Sequence, residues 1–454
     1  MHLSRWLILL SGLEFYFYSN LVAFGADHRN IHLLVLIGLF SIAGSFPSLM
    51  SMRSTVVRCS LFLTALFITY YAYRCAYDLP LHHLWARFFG SDAGIVYYYV
   101  FGLTVSLPLQ RAILVSWTEA PRYNRLAWRF LIFSLVSSLT PLCLTIEALS
   151  RTRSDIFLVA ENDELYQWPG DLLTIRFILI TATIGIWLIV SRGNRSILVR
   201  LARATIIVSF FSQIFASAFY LQIIGSNKAV VMISGCFIIT IWLLSSFRGT
   251  GAVSYFYLDS RGRASISYRK ALQSLWRPVL YSFILLLGIA LLALALDFPF
   301  EKFRLFGFGS GENSSIDSRL FVLEHKFDKQ FAIAPFLGNA GAEVAAGGGE
   351  GEYVHSLLLY LLTHTGLLGF SLFLLAVAKA VVEAKILNNV PFAADRRDLD
   401  TRSLIHLLYL ALFGMTFLTA VLGTSVLWAP LWFALGFLLS PISIGMRDRA
   451  SALG

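Results

Sequence analysis

The stretch HSLLLYLLTHTGLLGFSLFLLAVA, residues 355–378, contains no Asp, Glu, Lys or Arg. A helix needs about 20 mostly apolar residues to cross the hydrocarbon of a bilayer. The run therefore reads as a transmembrane span. Similar runs lie at 5–26, 31–50, 57–76, 93–116, 128–149, 172–191, 201–224, 229–247, 279–297, 403–423 and 427–446. Together they make about twelve spans. The expected fold class is an all-α integral membrane protein, with residues 1–454 forming a single polytopic membrane domain.

Composition excludes a soluble enzyme. The chain is 57% hydrophobic, and only 14% of its residues are charged, against about 25% in soluble domains. The net charge is +10, which on one soluble face would suggest nucleic acid. Here the Lys and Arg residues fall in short loops between apolar runs, which is a topology signal. Cys59, Cys75, Cys143 and Cys236 lie in or beside apolar runs at no metal-ligand spacing, and read as packing residues.

With the amino terminus inside, 24 of the 36 Lys and Arg residues fall in inside loops. Five of the others share one long outer loop, where charge matters less for orientation. Both termini are therefore expected to be cytoplasmic. Ala23-Phe24-Gly25 resembles a signal cleavage site, but Glu14 interrupts the first apolar run and the run is long for a signal. It reads as span one. The basic, aromatic loop 248–278 is expected to lie on the anionic inner leaflet.

Two outer loops are large, 150–171 and 298–354. In the second, Ser314 and Ser315 suit a helix start and Asp317 suits its first turn. Leu320, Leu323, Phe327 and Phe331 then recur at helical spacing, which predicts a helix over 316–331. Pro335 and Gly338 end it. A Gly-rich stretch, Gly338 to Gly351, leads to Glu352-Tyr353-Val354-His355 at the mouth of the next span. Such a stretch moves easily and would close over a site at the outer surface. The alternative is a solvated connector.

Several residues carry possible chemistry. Arg319 stands near a helix start, against the macrodipole, so it wants another partner. A pyrophosphate fits its guanidinium fork, and so does an ion pair with Asp317 or Glu324. Arg176 lies about one turn inside span six, where a charge faces a cavity or partner, or snorkels. His355 titrates near working pH and suits a general base, or is a plain interfacial hydrogen-bonder. Glu14 is an intramembrane carboxylate with no role assigned. Glu161 and Asp163 are the only ExD spacing in the outer loop 150–171, and metal binding is not expected.

The last third resembles the O-antigen polymerase and O-antigen ligase superfamily of bacterial envelope enzymes. The residues are Ser318-Arg319, Ala334-Pro335-Phe336-Leu337-Gly338, Gly348-Gly349-Glu350-Gly351-Glu352-Tyr353-Val354-His355 and Gly366-Leu367-Leu368-Gly369. The match covers about 60 residues of the chain; the span count and the place of the large loop agree with it. Two departures are Ser356, where the family often has Asn after the His, and Leu323, where it often has an aromatic.

The resemblance implies a metal-independent, GT-C-like glycosyltransferase in the bacterial inner membrane, with its active site facing the periplasm. The donor would be a glycan on undecaprenyl pyrophosphate, and 298–354 would be the periplasmic catalytic loop. Arg319 would hold the donor pyrophosphate, joined by Arg176 and Arg304. His355 would sit beside the acceptor hydroxyl, with Glu352 and Tyr353 touching substrate. A chain-length regulator protein is a further implied partner. The expected reaction is repeat-unit polymerisation of O-antigen or exopolysaccharide. The alternatives are ligation to lipid A–core and, from another class, a lipid-linked oligosaccharide flippase. A flippase should show two similar halves, and none is visible.

Overall fold

The computed structural model describes residues 55–89, 94–103, 105, 168–191, 197–224, 227–246, 256–258, 264–295, 315–348, 354–387 and 396–440. The expected spans 5–26, 31–50 and 128–149 lie outside these residues, as does most of 93–116. The described chain is mainly helical, with one antiparallel pair of short strands.

The helices are α1 (Thr55–Asp78), α2 (Leu81–Phe89), α3 (Trp168–Val190), α4 (Ile197–Ile224), α5 (Asn227–Ser246), α6 (Tyr268–Ala295), α7 (Ser315–Ile333), α8 (Ala342–Ala345), α9 (Leu357–Leu387), α10 (Arg396–Gly423) and α11 (Ala429–Leu438). A further helical stretch covers 95–103. Two segments, Leu357–Ala384 in α9 and Ser403–Gly423 in α10, are long and apolar enough to cross a membrane. Shorter apolar stretches occupy Leu173–Ile189 and Lys228–Leu244. From Leu173 to Ile189 every residue of α3 is buried, as expected of a helix apolar on all faces.

Two expectations need correction. Within the loop 248–278, Phe256–Leu258 (β1) pairs antiparallel with Ala264–Ile266 (β2), and α6 starts at Tyr268 rather than near 279. Phe256, Tyr257 and Ile266 are residue types that suit strands. At the other end, the span expected over 427–446 is a helix of 10 residues that stops at Leu438. That is about 15 Å long, half the hydrocarbon thickness of about 30 Å. Ser440 precedes Pro441, and a residue before proline disfavours helix. All of α11 is buried. It crosses 95–103 where a Cβ on Gly102 would strike the Phe433 carbonyl and one on Gly436 would strike the Tyr99 carbonyl. Small residues let the two backbones meet.

α1 and α9 pack antiparallel and are tied along their length. The Ser60 amide donates to the buried Glu383 carboxylate at 3.1 and 3.2 Å. Phe67 meets Phe373 edge-on at 5.2 Å and stacks near Trp432 at 6.0 Å. Nearer the other end, the Tyr71 and Tyr360 hydroxyls lie 3.1 Å apart. On the far side of α11, α3, α5 and α10 pack together through Gly185 against Leu408 and Gly235 against Met415. The Trp428 indole N–H donates to Asp171, in the first turn of α3, at 2.6 Å.

α9 breaks at Gly366, with φ 62° and ψ −174°. A break frees helix amides and carbonyls that need new partners. Residues 334–339 supply them. Leu367 N–H donates to the Pro335 carbonyl at 2.9 Å, and Leu368 N–H to the Phe336 carbonyl at 3.1 Å. The Thr363 carbonyl accepts from Asn339 N–H at 3.1 Å. The Tyr70 hydroxyl lies 2.7 Å from the Leu337 carbonyl and 3.3 Å from that of Thr365. Gly338, with φ 69°, lies directly on Gly366, so a Cβ on either would collide with the other's backbone.

The predicted loop helix over 316–331 is α7, ending at Ile333 ahead of Pro335. The easily moved stretch expected after it is, over 338–348, a seated one. Gly338 is locked to the break, and α8 follows with Ala342 and Glu343 buried. Gly338 serves close approach here, while Gly347 supplies a positive φ in open space.

Gly338→Ala and Gly366→Ala each put a side chain at positive φ and into backbone. Each should cost at least about 2 kcal/mol, read as a lower unfolding temperature in detergent. Gly288→Ala and Gly414→Ala, with nothing within 4 Å of the new Cβ, should be neutral or gain up to about 1 kcal/mol.

Candidate functional site

The polar chemistry of the described chain gathers where α1 and α2 meet α8 and the first turns of α9. Pro80 sets the local geometry: it closes α1 at Asp78 and precedes α2. The turn aims Arg87 of α2 back at α1. Its Nη1 reaches the Tyr71 hydroxyl at 3.2 Å, the Cys75 sulfur at 3.7 Å and the Ala340 carbonyl at 3.2 Å. Asp78 accepts from the Ala340 amide at 2.8 Å and pairs with Arg74 at 2.8 Å. The segment leaving the Gly338–Gly366 contact is thus gripped by its carbonyl and its amide.

Beneath it lies a buried acid–imidazole pair. His364 Nε2 is 2.8 Å from a Glu343 carboxylate oxygen. Its Nδ1 is 2.8 Å from the Thr363 hydroxyl and 3.1 Å from the Tyr360 carbonyl. The Tyr360 ring stacks on the imidazole with centroids 3.7 Å apart. Burial pushes the Glu343 carboxyl up, but the hydrogen bond and charge of His364, an amide of its own helix and Arg87 outweigh it. They hold the group below the usual carboxylate range.

These groups balance one another. Arg74 and Arg87 face Asp78 and Glu343, and His364 bridges α8 to α9. Such a closed set holds a loop in register. His355 is half-buried and lies two residues before α9.

Arg319 belongs to the second turn of α7, and its side chain lies outside the described set. α7 packs on α8 and α9, so its backbone shares a frame with His355. Arg176 is fully buried; its Nη2 donates to Gln213 of α4 at 2.9 Å, and its guanidinium lies 5.5 Å from the Phe177 ring centre. Of the two expectations for Arg176, the internal partner holds and snorkelling does not. For Arg176 to meet a phosphate, α3 and α4 would have to part. Arg304, Glu352, Tyr353, Glu14, Glu161 and Asp163 lie outside the described residues.

No family model matches the chain, and neither do curated proteins or solved structures. The site therefore stands on its own geometry.

Sequence reasoning passed over Arg87, Glu343 and His364. Arg87 counted only as a loop charge. His364 sits in an apolar run, where an ionisable side chain marks a function or a partner; that signal was there to read. Glu343 carries no local mark.

Removing the Glu343 carboxylate leaves the buried His364 Nε2 without its partner, and an unsatisfied buried polar group costs about 1–3 kcal/mol. Glu343→Ala should therefore lower stability by about that much, measured by thermal unfolding in detergent. The folded carboxyl is depressed, so its contribution is complete above the ordinary carboxylate pKa, about 4.3. It is lost as the pH falls through the depressed folded value. Glu343→Gln should flatten that acid limb of the stability profile.

Proposed function

We propose that this chain is an inner-membrane polymerase of lipid-linked glycan repeat units, with about twelve spans and its working face on the periplasmic side. The observation that supports it best is the Gly338–Gly366 junction. Two of the stretches that resemble the O-antigen polymerase and ligase superfamily, 334–338 and 366–369, meet there. Their meeting gives the helix of Arg319 and the helix start beside His355 a common base.

In this reading, an acceptor sugar hydroxyl loses its proton to His355 as its oxygen attacks the anomeric carbon of the donor. A new glycosidic C–O bond forms, and the C–O bond to pyrophosphate breaks. Undecaprenyl pyrophosphate leaves with the bonding electrons, and His355 passes its proton to bulk water. A neutral hydroxyl is a poor nucleophile and gains from a base. The developing pyrophosphate charge needs fixed cations. Arg319 supplies one that stays charged at any working pH, with Arg304 as a further cation of the site; Arg176, buried against Gln213, is left out of it. Glu352 and Tyr353 would line the acceptor side.

The test uses the purified full chain in detergent with an undecaprenyl-pyrophosphate-linked repeat unit, and product length is read on a gel. Ladders of longer glycans are expected. His355→Ala should slow extension about 10²- to 10⁴-fold. Arg319→Ala should abolish it, and Arg319→Lys should not restore it, because an ammonium lacks the fork. Extension only when lipid A–core is added would make the chain a ligase. No transfer to either acceptor, with lipid movement across proteoliposomes, would make it a flippase.

A further inference from the structure

We infer that the turn 334–338 is a re-entrant wedge in the outer half of the bilayer, presenting Phe336 and Leu337 to lipid acyl chains. The partner is the hydrocarbon of the membrane; the inference rests on the spans and orientation proposed above and not on the glycan chemistry.

Depth comes first. The turn meets α9 at Leu367 and Leu368. These sit near the middle of the charge-free run 355–378, with Lys379 the first charge on the inner side. α1 is an independent ruler. Its stretch between Arg58 and Arg74 is uncharged, and Tyr70, which bonds the Leu337 carbonyl, lies within it. Tyr70 is about 12 Å along the axis from Asp78, and helical side chains lean toward the helix start. Its hydroxyl therefore lies no nearer the outer end than its Cα. The turn's own sequence agrees, since no charged residue occurs between Lys329 and Glu343.

Exposure and backbone chemistry come second. Phe336 is 71% exposed and Leu337 52%. They continue the exposed apolar surface of Leu367, Leu368, Leu374 and Leu375 on α9. A turn in water leaves its carbonyls to solvent, but in hydrocarbon each unpaired one costs several kcal/mol. Here every carbonyl from Ala334 to Leu337 has a protein donor: Gly338 N–H, Leu367 N–H, Leu368 N–H and the Tyr70 hydroxyl, in order. Apolar side chains facing outward over fully engaged carbonyls are what a lipid-facing turn requires.

The experiment places a spin label on Phe336→Cys in full-length protein whose native cysteines are replaced by Ala, reconstituted in liposomes. Collision with oxygen, which concentrates in hydrocarbon, is compared with collision with a water-soluble nickel chelate. Leu375→Cys serves as the membrane reference and Val344→Cys as the outer one. The label at 336 should match 375, with oxygen favoured, and the ratio should invert at 344. A label at 336 that behaves like 344 overturns the wedge. If Phe336→Cys does not insert, Leu337→Cys gives the same reading, and chelate-accessible labels there overturn it equally.

Discussion

A helix broken inside an apolar medium must find partners for the backbone groups it releases, and at Gly366 those partners come from a segment about thirty residues earlier in the chain. Two glycines make the exchange possible. Gly366 adopts a φ that other residues avoid, and Gly338 lets the turn lie directly on the break. Much of the architecture around it hangs from this contact. It fixes where α7 ends, where 338–348 begins its return, and how the first turns of α9 are aimed.

The polar groups above the break obey the same economy. Among the described residues few charges are buried, and those named here have polar partners. Arg87 and Asp78 grip the carbonyl and amide of Ala340, Glu343 is held by His364, and Arg176 is bonded to Gln213. Removing water raises the cost of an unmatched charge, so each pairing also fixes position. A swing of 338–348 would break several of these bonds together, so it is a poor lid.

Packing elsewhere follows from size rather than charge. α11 is too short to cross a bilayer alone, yet it is the most enclosed helix described. It touches α3, α9 and α10 and crosses 95–103 through Gly102 and Gly436. It acts as a peg between the α1–α9 pair and the α3–α5–α10 group.

Apolar runs of span length announced the helices, because the cost of burying backbone in lipid leaves helix as the only local solution. The positions of α1, α3, α4, α5, α9 and α10 were legible for that reason, and α7 was legible from its spacing of Leu and Phe. Local sequence also marked Arg319, Arg176 and His355 as residues needing partners. Which partners they have is a long-range matter: Arg176 with Gln213 joins separate helices, and Arg87, Glu343 and His364 meet only because three segments fold to one end of α1. Even the glycines read differently once folded. Their spacing suggested looseness, but freedom of the backbone and closeness of approach come from the same missing side chain, and only the neighbour across the contact decides which of the two is used.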